Sequence, residues 1–322
     1  MRRSGGYTGA AKATSGGNCK GCEPNGGPDP SKPDPAEAMA PARLPAPGLH
    51  LVATPIGNLG DISLRALAVL RGADRIYCED TRITARLLAR YGIKTRLESY
   101  HDHNAEAARP AILAGLARGE RVALVSDAGT PLVSDPGYKL VRAAIAEGLP
   151  VTAAPGASAV LTALLLSGLP PDRFLFAGFL PRHQAARRQA LTGWASLDAT
   201  LIFYESPPRL AAALTDMAEI LGPRSATVAR ELTKLHEEVR RGALAELASH
   251  YRNAGPPRGE TVVVIGPPEP RSPPDADEID RRLRAAVAEF GVRDAAAKLA
   301  AETGVPRSAL YRRALAIRED SR

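Results

Sequence analysis

Short apolar runs alternate with helical patterns from His50 onward, and this alternation restricts the fold more than any other feature. The first strands are predicted at His50–Ala53, Arg75–Cys78, Val122–Ser126 and Val151–Ala153. Apolar residues recur at helical spacing in Leu64–Leu70, Ala85–Tyr91, Ala111–Ala117 and Leu140–Ala146. Ser63 is placed to cap the first helix, and Gly72, Gly92, Gly119 and Gly148 each follow a predicted helix end. This repetition is typical of a parallel, doubly wound α/β sheet.

The alternation resumes after Gly168-Leu169-Pro170-Pro171, which is typical of a linker. A helix over Ser158–Ser167 leads into it. The later strands are predicted at Phe174–Phe179, Thr200–Tyr204, Ala226–Ala229 and Thr261–Ile265, and the helices at Arg209–Leu221 and Leu244–Tyr251. The 322 residues suffice for two domains of ~150 residues. We predict one α/β domain over residues 48–167 and a second over residues 168–267.

The C-terminal segment differs from both domains. Five prolines in Pro267–Pro274 end the α/β pattern. From Glu278 onward, the chain contains ten Lys and Arg but only seven Asp and Glu. A helix over Val292–Glu302, a turn at Gly304-Val305 and a basic helix over Arg307–Arg318 have the order of a helix-turn-helix unit. We predict a helical module over residues 275–322, with RNA contacts from Arg307, Arg312 and Arg313. A packing module without such contacts is the alternative.

Residues 1–47 contain eight Gly and eight Pro and almost no large apolar side chains. Such a segment cannot bury enough surface to offset the entropy lost on ordering, so we predict that it is disordered. We also expect the natural chain to begin at Met39, because the residues upstream have no pattern of a folded protein.

Composition excludes several classes of protein. Three Cys in the whole chain exclude a disulfide-built secreted fold. No apolar run approaches the ~18 residues of a membrane span, and Arg2 and Arg3 are not followed by the apolar core of a secretory signal. Because His, Cys and Asp lack the spacing of metal ligands, we predict no metal. We expect a cytoplasmic protein whose net charge of +7 suits an anionic partner.

Three loops that follow strands carry small residues: Thr54–Asp61, Ser126–Gly137 and Ala154–Ser158. Ligands of open parallel sheets bind beyond the carboxyl ends of the strands, so these loops are placed to form one pocket. Neither a GxGxxG nor a Walker pattern is present, which argues against dinucleotide and P-loop nucleotide sites. In the middle loop, Asp127 and Asp135 can accept hydrogen bonds from an ammonium or hydroxyl group.

These loops, together with Phe203–Arg209 and Arg230–Lys234, resemble the motifs of the tetrapyrrole methylase superfamily. The similar segments begin at Leu51–Asn58, and the resemblance covers about residues 48–267. It implies two α/β domains that bind S-adenosylmethionine in the cleft between them, commonly as a homodimer. Within the superfamily, the chain is most similar to members that methylate the 2′-oxygen of a cytidine ribose in the decoding region of 16S rRNA. The implied partner is therefore the small ribosomal subunit.

The resemblance also implies which residues hold the methyl donor. They are Pro55, Ile56 and Gly57 along the donor site, Gly129, Thr130, Pro131 and Val133 at its methionine and ribose, and Ser158 and Ala159 beside the adenosine. Members that modify tetrapyrroles usually carry Gly-Asp-Pro where this chain has Gly129-Thr130-Pro131. An acidic contact is lost at Thr130, although Asp127 lies close by in the sequence and is included in the predicted donor site.

Methyl transfer to a ribose hydroxyl requires positioning and the removal of one proton. From the polar clusters after the strands we predict Glu79, Glu205 and Lys234 as catalytic or substrate-positioning residues. Salt bridges at a helix start or a domain interface are the structural alternative. Arg182, Arg187 and Arg188 are predicted to contact RNA phosphate, with a solvated helix face as the alternative.

Two other functions stay open on the sequence alone. A tetrapyrrole C-methyltransferase would share the fold and the cofactor. However, Thr130, the positive net charge and the helix-turn-helix pattern favour RNA as the substrate. A non-enzymatic nucleic-acid-binding regulator built around the C-terminal module is the other alternative, but it would not explain the three loops placed to bind a ligand.

Overall fold

The computed structural model describes residues 44–269 and 275–320, with side chains up to residue 318. The predicted start at Met39 and most of the predicted disorder over residues 1–47 lie outside these ranges. Within them, the chain forms two five-stranded sheets followed by a pair of long helical segments.

The first sheet is entirely parallel, as predicted, and has the strand order β3-β2-β4-β1-β5. Its strands are β1 (Gly48–Val52), β2 (Arg75–Cys78), β3 (Leu97–Ser99), β4 (Arg121–Val125) and β5 (Val151–Ala154). The helices that follow them are α1 (Leu64–Gly72), α2 (Thr81–Arg90), α3 (Ala105–Ala117), α4 (Tyr138–Ala146) and α5 (Ala159–Ser167). The edge strand β3 was not predicted, because three residues are too few to show alternation.

Alternate residues of the central strands face two separate cores. Ile76 and Ala123 point to the core that contains α1 and α2, while Tyr77 and Leu124 point to the core of α3 and α4. Helices therefore cover both faces of the sheet, which confirms the doubly wound arrangement.

Local sequence signals define the helix ends of this region. The Ser63 hydroxyl accepts a hydrogen bond from the Ala66 N–H at 3.1 Å, so the predicted cap is confirmed. Gly92, Gly119 and Gly148 follow their helices at positive φ. The prediction for Gly72 was wrong by one residue, because Gly72 is the last residue of α1.

The second sheet is mixed, with the strand order β6-β7-β10-β8-β9 and one parallel pair, β6 with β7. Its strands are β6 (Phe174–Phe179), β7 (Thr200–Glu205), β8 (Ser225–Arg230), β9 (Glu238–Ala243) and β10 (Thr261–Ile265). Its helices are α6 (Gln184–Trp194), α7 (Pro207–Leu221) and α8 (Leu244–Ala254). Neither α6 nor β9 was predicted. Strand β9 lies at the sheet edge and contains Arg240 and Arg241, so it lacks the apolar alternation of a buried strand.

Helix α5 packs against the second sheet, although it follows the last strand of the first. Val160 and Leu164 share a core with Ile202 of β7 and Val264 of β10. Ile56, from the loop after β1, reaches the same core. By packing, α5 belongs with the second sheet, whereas residues 48–167 were predicted as one domain. The loops of the first sheet consequently face the second sheet across a cleft.

The C-terminal module contains α9 (Ala276–Thr303) and α10 (Arg307–Asp320). Helix α9 is interrupted at Gly291, whose φ of 78° and ψ of 167° are not helical. Its second half, the turn at Gly304 and α10 correspond to the predicted helix-turn-helix order, and its first half lies within the segment predicted to be helical. The two helices bury a core of their own, lined by Leu283, Ala295, Leu299, Leu310 and Ala314.

Candidate active site

A cavity of about 350 Å³ lies in the cleft between the two sheets. Six residues predicted to hold the methyl donor line it: Ile56, Gly129, Thr130, Val133, Ser158 and Ala159. The second sheet contributes the opposite wall, which includes Phe179, Tyr204, Glu205, Leu232 and Glu260. The other four predicted donor residues, Pro55, Gly57, Asp127 and Pro131, lie in the same loops but do not line the cavity.

Hydrogen bonds hold the three loops of the first sheet against one another. The N–H of Thr54 donates to the carbonyl of Gly129 at 2.9 Å, and the N–H of Gly129 donates back at 3.0 Å. The Thr130 hydroxyl donates to the carbonyl of Ala157 at 3.2 Å. A side chain at Gly129 would place its Cβ 3.2 Å from Ile56 at a φ of 81°, so only glycine allows this close approach. The predicted convergence of the loops is what the structure shows.

Strained backbone is concentrated in the two loops that face each other across the cleft. Leu132 and Ser134, after β4, have φ values of 71° and 67°. Glu231 and Thr233, after β8, have φ values of 50° and 66°. These are the non-glycine residues with positive φ among those described, and each such conformation costs about 1–3 kcal/mol. Such strain clusters at binding and catalytic sites, and the sequence carried no signal for it.

Asp135 places a carboxylate on the first wall of the cavity. Burial raises the pKa of Asp135 to about 6, the charges of Glu79 and Asp127 add to the rise, and a hydrogen bond with Ser126 opposes it. Asp127 itself accepts a hydrogen bond from the Asp80 N–H at 3.0 Å and so joins the middle loop to the start of α2. This wall therefore carries negative charge, which favours a cationic ligand. The sequence indicated Asp135 as a possible acceptor for an ammonium or hydroxyl group, but the resemblance did not include it among the donor residues.

Glu205 is the carboxylate of the opposite wall, and its side chain is 0% exposed. The Ser206 N–H donates to Oε1 at 2.8 Å, and a guanidinium nitrogen of Arg209 lies 3.3 Å from Oε2. Among the residues that the structure describes, Oε2 has no hydrogen-bond partner. Burial raises the pKa of Glu205, while the Ser206 N–H and the Arg209 charge oppose the rise. A buried acceptor without a donor is costly, so this oxygen suits a hydrogen-bond donor from a ligand.

The other two predicted catalytic residues lie outside the cavity lining. The Lys234 ammonium is 2.9 Å from Glu231 and 3.0 Å from Glu260, the second of which is a cavity residue. The side chain of Lys234 packs so closely on Gly57 that a Cβ there would lie 2.4 Å from Lys234 Cγ. Lys234 therefore orders the cleft through ion pairs and packing. Glu79 does not line the cavity, and its charge contributes to the raised pKa of Asp135.

The arginines predicted to contact RNA fall into two groups. Arg187 is buried and pairs with Asp216 at 2.6 Å, and Arg188 bonds Asp216 and Glu219. Arg313 pairs with Asp280 across the two helices of the C-terminal module. The buried pair of Arg187 leaves its guanidinium inaccessible to a phosphate, which corrects that prediction. The buried face of α6 could not be foreseen, because the helix itself was not predicted.

The second group is exposed: Arg182, Arg307 and Arg312. Arg307, Ser308, Tyr311 and Arg312 line a shallow groove on one face of α10. Helix α10 corresponds to the second helix of a helix-turn-helix unit. This face of it presents the cations of Arg307 and Arg312 beside the ring of Tyr311.

In residues 44–269 and 275–320, no helix combines the length and apolar character needed to cross a membrane. The same residues contain no group of three or more His, Cys, Asp or Glu side chains placed to hold a metal ion.

Comparison with known proteins identifies the family. Residues 48–248 match the family described as Tetrapyrrole (Corrin/Porphyrin) Methylases, and residues 273–318 match the RsmI C-terminal HTH domain. The chain belongs to the tetrapyrrole methylase family. This confirms the resemblance inferred from the loops. A family member from Mesorhizobium japonicum, named Ribosomal RNA small subunit methyltransferase I, is 53% identical over 282 residues, which cover 87% of this chain and 96% of that protein.

A second tetrapyrrole methylase of the same name, from Pseudomonas aeruginosa, is 46% identical over 272 residues, or 83% of this chain and 96% of that protein. Solved structures share the fold at lower identity. A cobalt precorrin-4 methyltransferase has a TM-score of 0.52 and 17% identity over 68% of this chain and 94% of its own. Diphthine synthase has a TM-score of 0.53 and 19% identity over 68% of this chain and 89% of its own. These two structures establish the tetrapyrrole methylase fold of the chain and nothing about its substrate.

Proposed function

We propose that the protein transfers a methyl group from S-adenosylmethionine to the 2′-oxygen of a cytidine ribose in the decoding region of 16S rRNA. The observation that carries this proposal is the combination, in one chain, of a tetrapyrrole methylase domain with the C-terminal module found in its rRNA-methylating relatives. The alignment with the relative from M. japonicum covers 96% of the length of that relative. The cytidine and its 2′-oxygen come from the sequence resemblance.

The first wall fits the methyl donor by shape and charge. Gly129 lines the cavity and lets its loop pack closely on Ile56, and a cavity of about 350 Å³ lies in the range of small-molecule sites. S-Adenosylmethionine carries a sulfonium and an ammonium group, and Asp135 offers the carboxylate that balances positive charge. When bound, the donor supplies an already activated methyl group. The loops therefore need to bind and orient it, with Thr130, Ser158 and Ala159 along its length.

The second wall provides the proton acceptor. Glu205 lines the cavity, and its buried Oε2 has an ion pair with Arg209 but no hydrogen-bond partner among the described residues. In the proposed reaction it accepts the proton of the ribose hydroxyl while that oxygen takes the methyl group. The elevated pKa of Glu205, caused by its burial, makes the carboxylate a stronger base than an exposed Glu. Lys234 keeps a positioning role, because its ion pair with Glu260 orders the same wall.

RNA is held by exposed cations outside the cavity. Arg182 is exposed and follows β6, and Arg307 and Arg312 lie on the exposed face of α10. Their contacts would be to phosphate, so they position the RNA without reading its sequence.

The proposal includes a homodimer that acts on the small ribosomal subunit in the cytoplasm. Support for the dimer comes from α5, which is apolar on all sides and leaves Leu161 and Leu165 exposed, the latter at 78%. An apolar helix face of this kind is typical of a subunit interface.

The decisive experiment measures methyl transfer from labelled S-adenosylmethionine. The acceptors are small subunits that lack the modification, protein-free 16S rRNA, and uroporphyrinogen. We expect label in the small subunits, recovered after complete digestion as 2′-O-methylcytidine. Label in a base-methylated nucleoside would contradict the 2′-oxygen as acceptor. Label in uroporphyrinogen alone would replace the proposal with tetrapyrrole C-methylation.

A further inference from the structure

Strand β6 carries an irregularity that changes the face on which its last residue lies. Phe176 pairs with Ile202 and Phe179 pairs with Tyr204, so two residues of β6 stand opposite one residue of β7. This is a β-bulge, and Gly178, with a φ of 66°, lies inside it. Strict alternation would place Phe179 with Leu175 and Ala177, which pack on the helix-covered core of the second sheet. The bulge instead brings Phe179 to the cleft face.

The rings of Phe176, Tyr204 and Phe179 form a continuous aromatic row on that face. The ring centroid of Tyr204 is 4.9 Å from that of Phe176 and 5.5 Å from that of Phe179. Phe176 and Tyr204 belong to the buried core beneath the cleft, whereas Phe179 is 56% exposed and lines the cavity. The row therefore fixes the orientation of a phenyl ring that lines the cavity and is more than half exposed.

We propose that Phe179 is a stacking platform for the base of the nucleotide that is methylated. Bases of RNA are recognised outside duplexes by stacking on aromatic side chains with nearby cations for the phosphates. Arg182 and His183 are exposed and follow Phe179 by three and four residues, so both elements of such a site are adjacent. In the proposed reaction the donor occupies the cavity, so the nucleoside approaches from the solvent side, and Phe179 lines the cavity while 56% exposed to solvent.

This inference rests on the proposed function, and it is tested with the full chain and small ribosomal subunits that lack the modification. Phe179→Leu removes the ring but keeps an apolar side chain, and Phe179→Trp keeps an aromatic surface. Phe174→Leu is the matched control, because Phe174 is 43% exposed on the same strand and does not line the cavity. The measurements are kcat and KM for the subunits, and the Kd for S-adenosylhomocysteine by calorimetry.

We expect Phe179→Leu to lower kcat/KM for the subunits by about fivefold to a hundredfold, the range of one base–aromatic stack. Phe179→Trp should restore most of the loss, Phe174→Leu should match the wild type, and all three should bind S-adenosylhomocysteine as the wild type does. Wild-type kcat/KM in Phe179→Leu would overturn the platform and leave the proposed function intact. A selective loss of S-adenosylhomocysteine affinity would assign the ring to the donor and also overturn it. Absence of methyl transfer by the wild type would overturn the proposed function and this inference with it.

Discussion

The wall of the cleft that comes from the first sheet consists largely of small loop residues and one carboxylate, Asp135. The wall that comes from the second sheet presents larger side chains. On the first, Gly129 permits close approach and Asp135 supplies charge. On the second, Glu205 and the aromatic pair of Tyr204 and Phe179 face the same space. The difference suggests a division of labour in which the first wall holds the cationic donor and the second positions and deprotonates the acceptor.

The fold explains why the two walls differ. In the parallel first sheet, all strands end at one edge, so three loops meet there and can surround a ligand with backbone groups. The second sheet is mixed, and the cavity residues Phe179, Tyr204 and Glu205 lie at the ends of its parallel pair β6 and β7, so strand side chains contribute directly to this wall. The two walls can therefore be tested separately, the first by measuring donor binding and the second by measuring turnover.

The largest expected effect is on the second wall. Glu205→Gln keeps the size of the side chain but removes the base, so we expect kcat to fall by about a hundredfold or more. The Kd for S-adenosylhomocysteine should stay close to that of the wild type. Since burial raises the pKa of Glu205, the wild-type rate should begin to fall on acidification at a pH above the ordinary range of a Glu carboxyl. Steady-state kinetics across pH and calorimetry make both measurements.

Glu79→Gln is the comparison variant for this prediction, because Glu79 carries the same group outside the cavity lining. We expect it to change kcat by less than tenfold. An equal loss of kcat in Glu79→Gln and Glu205→Gln would assign proton removal to a network rather than to the second wall.

A smaller effect is expected on the first wall, where Asp135→Asn removes the negative charge. We expect the affinity for S-adenosylmethionine to fall about tenfold, and the affinity for the neutral thioether S-adenosylhomocysteine to fall less, because only the former has the sulfonium charge. Calorimetry with both ligands measures the difference. Equal losses for the two ligands would place Asp135 at the shared ammonium group instead.

The same variant has an expected effect on stability. The pKa of Asp135 is raised to about 6, chiefly by burial and then by Glu79 and Asp127, so the wild type loses stability as the pH rises from about 4 through 6. Asn does not titrate. At about pH 8, Asp135→Asn should therefore be more stable than the wild type by about 1–2 kcal/mol, after allowance for solvent screening. Denaturant titration without ligand should show that the difference in free energy of unfolding between the variant and the wild type disappears below about pH 4.

The smallest expected effect lies outside both walls, on α10. The double variant Arg307→Ala/Arg312→Ala should weaken RNA binding modestly and reduce the slope of log affinity against log salt by about one to two. The affinity for S-adenosylmethionine should not change. Binding titrations with 16S rRNA at several salt concentrations measure the slope.

The matched control removes the same charge from α9, as Arg281→Ala/Arg282→Ala, where both side chains pair with acidic residues. An identical salt slope in the two double variants would mean that net charge, rather than the exposed face of α10, governs binding.

Much of this architecture was predictable because it depends on short-range signals. The strand–helix alternation of the first sheet is local, and so are the hydroxyl caps of Ser63 and Ser158. The convergence of the three loops follows from the rule that parallel strands end at one edge, so six of the predicted donor residues do line one cavity. Where a residue's role depends on backbone and position in a parallel sheet, the sequence pattern indicates it.

By itself, the sequence determined the two-sheet α/β organisation, the helical C-terminal module and the family, because periodicity, caps and long loop motifs are written along the chain. Only the tertiary structure decided that Arg187 is buried against Asp216, since an unpaired charge cannot be buried and the partner lies twenty-nine residues away. It also decided that Asp135 is near two like charges, Asp127 from its own loop and Glu79 from the end of β2. Finally, one extra residue in β6 turned Phe179 from the core to the cleft, and such a shift is visible only in the pairing of β6 with β7.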